Sequence, residues 1–173
     1  MLTCEILQSV LLTFSIKNYG GDLFINEVLI ITAALFALSA SLFTIEKLGY
    51  KPLTVICFCL ATIAITCLLY VQMPKLVSAF PLLDEDAVRL PCIFFAKLGI
   101  ASIHNMAFLF IIWNFDATKS TMVFSHCNLG GRLGAVIAPE LAEIQQPFPM
   151  AFMGLLSILC LVACFSLVWY EKI

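Results

Sequence analysis

Charge is what this sequence has least of: Asp, Glu, Lys and Arg make up 12% of its 173 residues, about half their share in an ordinary soluble domain. So few charges cannot clothe a water-facing surface, and 62% apolar residues with a mean hydropathy of +1.07 exclude a soluble fold. An excess of basic side chains is also missing. Nine Lys and Arg against eleven Asp and Glu leave a net charge of −2, so no basic surface neutralises phosphates and nucleic acid is not the partner. There is no CxxC pair; apart from Cys4, near the start, the eight cysteines lie in or beside apolar stretches and read as small packing residues. His104 and His126 have no neighbours at zinc-ligand spacing, and neither a metal nor a cofactor is implied. No Ser/His/Asp grouping or paired carboxylate points to an enzyme. Residues 1–12 lack the basic start and small-residue cleavage site of a signal peptide.

What the chain has in abundance is long apolar runs. A bilayer core takes about twenty residues of helix, and six runs approach or exceed that length: 2–16, 23–45, 53–71, 87–115, 120–142 and 148–170. Nothing alternates in the manner of barrel strands, and backbone groups in hydrocarbon must be satisfied within their own segment, so the runs predict an all-α protein of six transmembrane helices. The first run is short. Lys47, Lys51, Lys119 and Lys172 fall on one side of the membrane and Lys17, Lys75 and Arg89 on the other, a bias that favours cytoplasmic termini.

An ionisable group inside a span costs several kcal/mol unless it snorkels, pairs or faces water. From Pro52 to Tyr70 and from Phe148 to Tyr170 there is no Asp, Glu, Lys, Arg or His, so the third and sixth spans can face lipid over most of their surface. The second span carries Glu27, the fourth Lys97, His104 and Asn105, and the fifth His126, Asn128 and Arg132. Ser125, Asn128, Arg132, Ala135 and Pro139 recur every three or four residues, which places them on one helical stripe facing something wet. Gly130, Gly131 and Gly134 leave room around the Arg132 guanidinium, which suits an anionic group; a permanent pair with Glu27 is the alternative. His104 beside Asn105 predicts an interhelical hydrogen bond more readily than a proton relay. Lys97 either snorkels to the interface or lines a cavity. Ala33, Ala37 and Ser41 form a small-xxx-small pattern for close helix packing.

The segment Glu46-Lys47-Leu48-Gly49-Tyr50-Lys51-Pro52, between two spans, resembles the cytoplasmic loop motif of the major facilitator superfamily. Glu46, Lys47, Gly49 and Lys51 carry the likeness. It is preceded by Gly20-Gly21-Asp22-Leu23-Phe24-Ile25-Asn26 and followed by Lys97-Leu98-Gly99-Ile100-Ala101 and by the segment from Gly131 to Pro139, in the order and spacing of the organic-ion (organic cation and anion) solute carrier branch. The resemblance covers nearly the whole chain and implies the C-terminal six-helix half of a major facilitator fold, at the plasma membrane. It implies transport of small organic ions by alternating access, with the first, second, fourth and fifth spans lining the pathway. Arg132 falls where anion-transporting members carry arginine, so the implied substrate contact is Arg132, with Asn128, Ser125, Asn26 and His104 as further lining residues and Glu27 and Lys97 as coupling or ion-pair groups. Residues 113–117 lack the glutamate and proline of the family pattern, and Tyr50 stands where it has arginine. Besides the lipid bilayer and the substrate, the expected partner is a missing N-terminal half, a second copy or a related carrier. The alternative function is a non-transporting half-length protein that regulates or assembles with full-length carriers.

Overall fold

The structure, a computed structural model, describes residues 2–15, 22–72, 85–144 and 148–170. Lys17, Lys75 and Lys172 of the orientation count, and Gly20 and Gly21 of the motif, lie outside them. Six helices and no strand occur among the described residues: α1 (Leu2–Phe14), α2 (Leu23–Leu48), α3 (Tyr50–Val71), α4 (Glu85–Asn114), α5 (Ala117–Glu143) and α6 (Phe148–Tyr170). Four are long and apolar enough to cross a membrane, namely α2, α3, α4 from Val88 and α6 to Ser166, which is compatible with a multi-pass membrane protein. At 13 residues, α1 reaches only about 20 Å. α5 has the length, 27 residues, but Ser125, His126, Asn128, Arg132 and three glycines dilute its apolar character.

The connections are tighter than the expected loops. In place of a polar stretch from Glu46 to Pro52, Gly49 alone separates α2 from α3. It takes φ +77°, a conformation open to glycine, and donates its N–H to the Ile45 carbonyl at 2.9 Å. Pro52 then falls in the first turn of α3, where no intrahelical N–H is lost. Asp22 starts α2 by accepting the Phe24 N–H at 2.8 Å. Phe115 and Asp116 alone separate α4 from α5.

α4 packs against α3, α2, α1 and α5, while α6 rests on α3 and α1. Lipid tails are as apolar as leucine, so helices in a membrane associate through close approach and not through exclusion of water. The α3–α4 crossing is built that way: a Cβ on Gly99 would lie 2.9 Å from the Ala61 backbone nitrogen and from the Cys57 carbonyl oxygen. Asn26, Ile30, Ala33, Ala37, Ser41 and Ile45 form the buried edge of α2, and Asn105 Nδ2 donates to Ser41 Oγ across the α2–α4 contact at 3.4 Å. Gly131 of α5 lies against the Ile6 side chain of α1. Phe58, Ile65, Leu68, Ile93, Ile100, Ile103, Met106, Met150 and Met153 fill the interior. No disulfide joins the cysteines among the described residues, and Cys57, Cys160 and Cys164 are core residues.

Sorting helices by charge does not reproduce their burial. α3, expected to turn most of its surface to lipid, buries seven side chains from Leu53 to Leu68. α2, expected inside, buries only 28% of its apolar stretch against 39% for α6. The reason is steric, since Ala61, Ala64 and Gly99 let α3 and α4 meet closely, whereas Leu and Phe side chains thicken the remaining faces of α2.

Candidate functional site

The polar groups fall into two sets. One is an inner seam between α1 and α4, which run antiparallel. Lys97 Nζ donates to Ser9 Oγ at 2.7 Å, and two turns further along α4 His104 Nδ1 lies 3.3 Å from Glu5 Oε1. Lys97 and His104 are seven residues apart and Glu5 and Ser9 four, so each pair shares one face of its helix. Glu5 is 1% exposed, and its Oε2 has no hydrogen-bond partner among the described residues. On its other side α1 is tied to α6, where Gln8 Nε2 donates to Ser157 Oγ at 2.8 Å and to the Met153 carbonyl at 3.2 Å.

The second set faces outward between α2 and α5, above α4. His104 meets Phe108 edge-on at 4.5 Å between ring centroids, and Phe108 meets Phe124 of α5 at 4.9 Å. On the α2 side Phe36 lies 6.4 Å from Phe94, and the Glu27 carboxylate is close enough to act electrostatically on Lys97. Arg132 is exposed and forms no hydrogen bond or ion pair among the described residues. Asn128 is half-buried. Ser125 is exposed, with its hydroxyl donating back to the Thr121 carbonyl at 2.8 Å. The face of α5 that turns inward is Gly131, Gly134, Ala138 and Ala142, so the stripe of Ser125, Asn128 and Arg132 borders the contact with α1 and does not enter it.

Several expectations change at this point. Arg132 does not pair with Glu27, which is exposed and lies toward Lys97. Lys97 does not snorkel: it is 9% exposed and more than three turns into α4, held inward by the Ser9 hydroxyl. His104 makes an interhelical polar contact, with Glu5 as its partner. Asn26 is buried on the packed edge of α2 and is not on an open face. Glu46, Lys47 and Gly49 are exposed at the α2–α3 corner, and Lys51 Nζ sits 5.9 Å from the Tyr50 ring centroid.

Glu5, Gln8 and Ser9, none of them among the expected site residues, supply the partners on α1. Their spacing of three and four residues on an otherwise apolar helix is the same signal as the stripe on α5. In a run of only about fifteen residues that period has few turns over which to show. Among the described residues His126 Nδ1 contacts only the Met122 carbonyl of its own helix, at 2.8 Å. No group of His, Cys, Asp and Glu among the described residues has the arrangement to hold a metal ion.

Comparison with models of known protein families finds no match, and comparison with curated proteins finds none either.

Proposed function

We propose that the chain is an integral membrane carrier of small organic ions, built as a facilitator half, in which α2, α4 and α5 border the substrate pathway and Arg132 contacts an anionic group on the substrate. The observation that carries this reading is the state of Arg132, a guanidinium halfway along a 27-residue helix, exposed and unpaired among the described residues. A cation at that depth needs water, a counter-charge or a ligand. Glycine on the inward side of the same turn leaves the guanidinium on the side shared with Asn128. The aromatic edge formed by His104, Phe108 and Phe124 lies next to this stripe and supplies apolar contact for the organic portion of such a substrate. The likeness of the loop and glycine motifs to the organic-ion solute carriers supports the same assignment, including a place in the plasma membrane. No covalent chemistry or cofactor is part of it.

The test is uptake of a radiolabelled organic anion into proteoliposomes containing the chain. Saturable uptake that Arg132→Ala abolishes supports the proposal; uptake equal to that of protein-free liposomes sinks it.

A second reading is a non-transporting protein that assembles with carriers. The breadth of exposed apolar surface on α2, from Phe24 through Leu35 to Phe43, favours it. Co-purification with a full-length carrier, together with absent uptake, would establish it.

A further inference from the structure

Glu5 is the one acidic or basic side chain on α1, and the transport reading gives it no task. It is 1% exposed. Its Oε1 lies 3.3 Å from His104 Nδ1, and its Oε2 has no hydrogen-bond partner among the described residues. The neighbouring polar groups of the same helix are engaged elsewhere, Gln8 with Ser157 and Ser9 with Lys97. A structural tie to His104 asks for no more than an amide. A carboxylate enclosed with a single polar contact carries a desolvation penalty that a bound proton removes.

The surroundings leave that role to a proton. α1 packs against α4, α5 and α6. α4 brings His104 and, two turns away and bonded to Ser9, Lys97. On α5 Lys119, His126, Arg132, Glu140 and Glu143 are all exposed, and Cys127 is half-buried. α6 has no Asp, Glu, Lys, Arg or His and offers only the thiols of Cys160 and Cys164. His104 is the link between Glu5 and the outside, because its side chain is 37% exposed and stands on the outward aromatic edge beside Phe108.

We infer that Glu5 and His104 form a proton-binding site coupled to the anion site at Arg132. The imidazole takes a proton from water on its exposed side and passes its Nδ1 proton to Glu5 Oε1. One O–H bond forms, the imidazole ends neutral, and nothing is oxidised or reduced; release runs the same path backward. Binding the proton takes the pair from a charge of −1 to zero. Arg132 follows Gly131, which lies against Ile6, the residue after Glu5, so an anion on the guanidinium stands about one helix spacing, about 10 Å, from the carboxyl. At that separation, with an effective dielectric of about 20, removing the negative charge tightens anion binding about tenfold. By linkage the anion tightens proton binding by the same factor. The coupling rests on the Arg132 contact made under Proposed function; the proton site does not.

The experiment is infrared difference spectroscopy on the full chain in phosphatidylcholine vesicles, titrated between about pH 9 and about pH 5. The wild-type chain is expected to show the high-frequency carbonyl band of a protonated, weakly hydrogen-bonded carboxyl, lost entirely in Glu5→Gln. In His104→Gln the band is expected to appear about a hundredfold more slowly after a pH jump, because the ring is the way in. Benzenesulfonate, which stays ionised and has no carboxyl band, is expected to move the midpoint about one pH unit toward alkali, the tenfold of the linkage, in the wild type and not in Arg132→Ala. A wild-type chain without such a band overturns the inference, whether or not the variants fold, and so does a band that Glu5→Gln leaves unchanged. A Glu5 band that benzenesulfonate does not move overturns the coupling. The spectra need no transport, so a chain that takes up no anion would remove the transport reading and leave the proton site standing. Anion uptake by a chain with no Glu5 band would do the reverse.

Discussion

The seam between α1 and α4 and the outward side of α5 use the same kinds of side chain to opposite ends. In the seam, Lys97 has Ser9, His104 has Glu5, and Gln8 on the neighbouring face of α1 has Ser157, all across helix boundaries. On α5 the polar groups turn back to their own helix or outward: Ser125 to Thr121, His126 to Met122, and Arg132 to nothing described. The difference teaches that polarity on these helices has two jobs. Where a partner helix approaches closely, polar side chains fix the position of a short helix that has little apolar area of its own. Where no partner approaches, they mark a face that needs a ligand, water or another chain.

The interior side of this comparison breaks most readily at Gly99. Gly99→Val places a branched side chain against the Ala61 and Cys57 backbone, atoms that cannot swing aside, and should cost about 3 kcal/mol, the upper end for overpacking. Reversible unfolding in mixed micelles reads it, and an unchanged midpoint would mean that α3 and α4 do not cross at this glycine. His104→Ala comes next. It leaves the buried Glu5 carboxyl without its neighbour and should cost about 2 kcal/mol. Pairing it with Glu5→Gln should recover part of that loss, and strict additivity in the double-mutant cycle would show that the two do not interact. Gln8→Leu removes one interhelical hydrogen-bonding group and should cost about 0.6 kcal/mol, the average for such bonds within membranes. A gain in stability would show that α6 does not depend on the tie to α1. Arg132→Ala should change stability by no more than about 0.5 kcal/mol, because the side chain is exposed. A larger loss would move Arg132 into the structural set.

Helical structure, the four long apolar helices and the packing role of Ala33, Ala37 and Ser41 were legible in the sequence because each rests on spacing alone. The corners were not, since one glycine at positive φ replaced a seven-residue loop, and a polar composition does not report how many residues leave the helix. Charge placement was legible only in part. Arg132 and its stripe were visible from period and composition, and the structure places that stripe at the border of the α1 contact. The partners of Lys97 and His104 were hidden because they sit on a different helix, some ninety residues earlier, and a short helix carrying Glu5 and Ser9 gives little sign of where it docks. Nor could counting charges rank the helices by burial, because close crossing at Gly99 and Ala61 depends on the absence of side chains.

The central claim is that the Ser125, Asn128 and Arg132 face of α5 meets water at membrane depth while the rest of its exposed surface meets lipid. Single cysteines at positions 128, 132, 133 and 136, treated in intact vesicles with a charged, membrane-impermeant thiol reagent and compared with the native cysteines' background, test it most directly. The account predicts modification at 128 and 132, faster than at 133 and 136, and slowed at 132 by a bound organic anion. Equal rates at all four positions, or protection at 132 with labelling at 136, would contradict it.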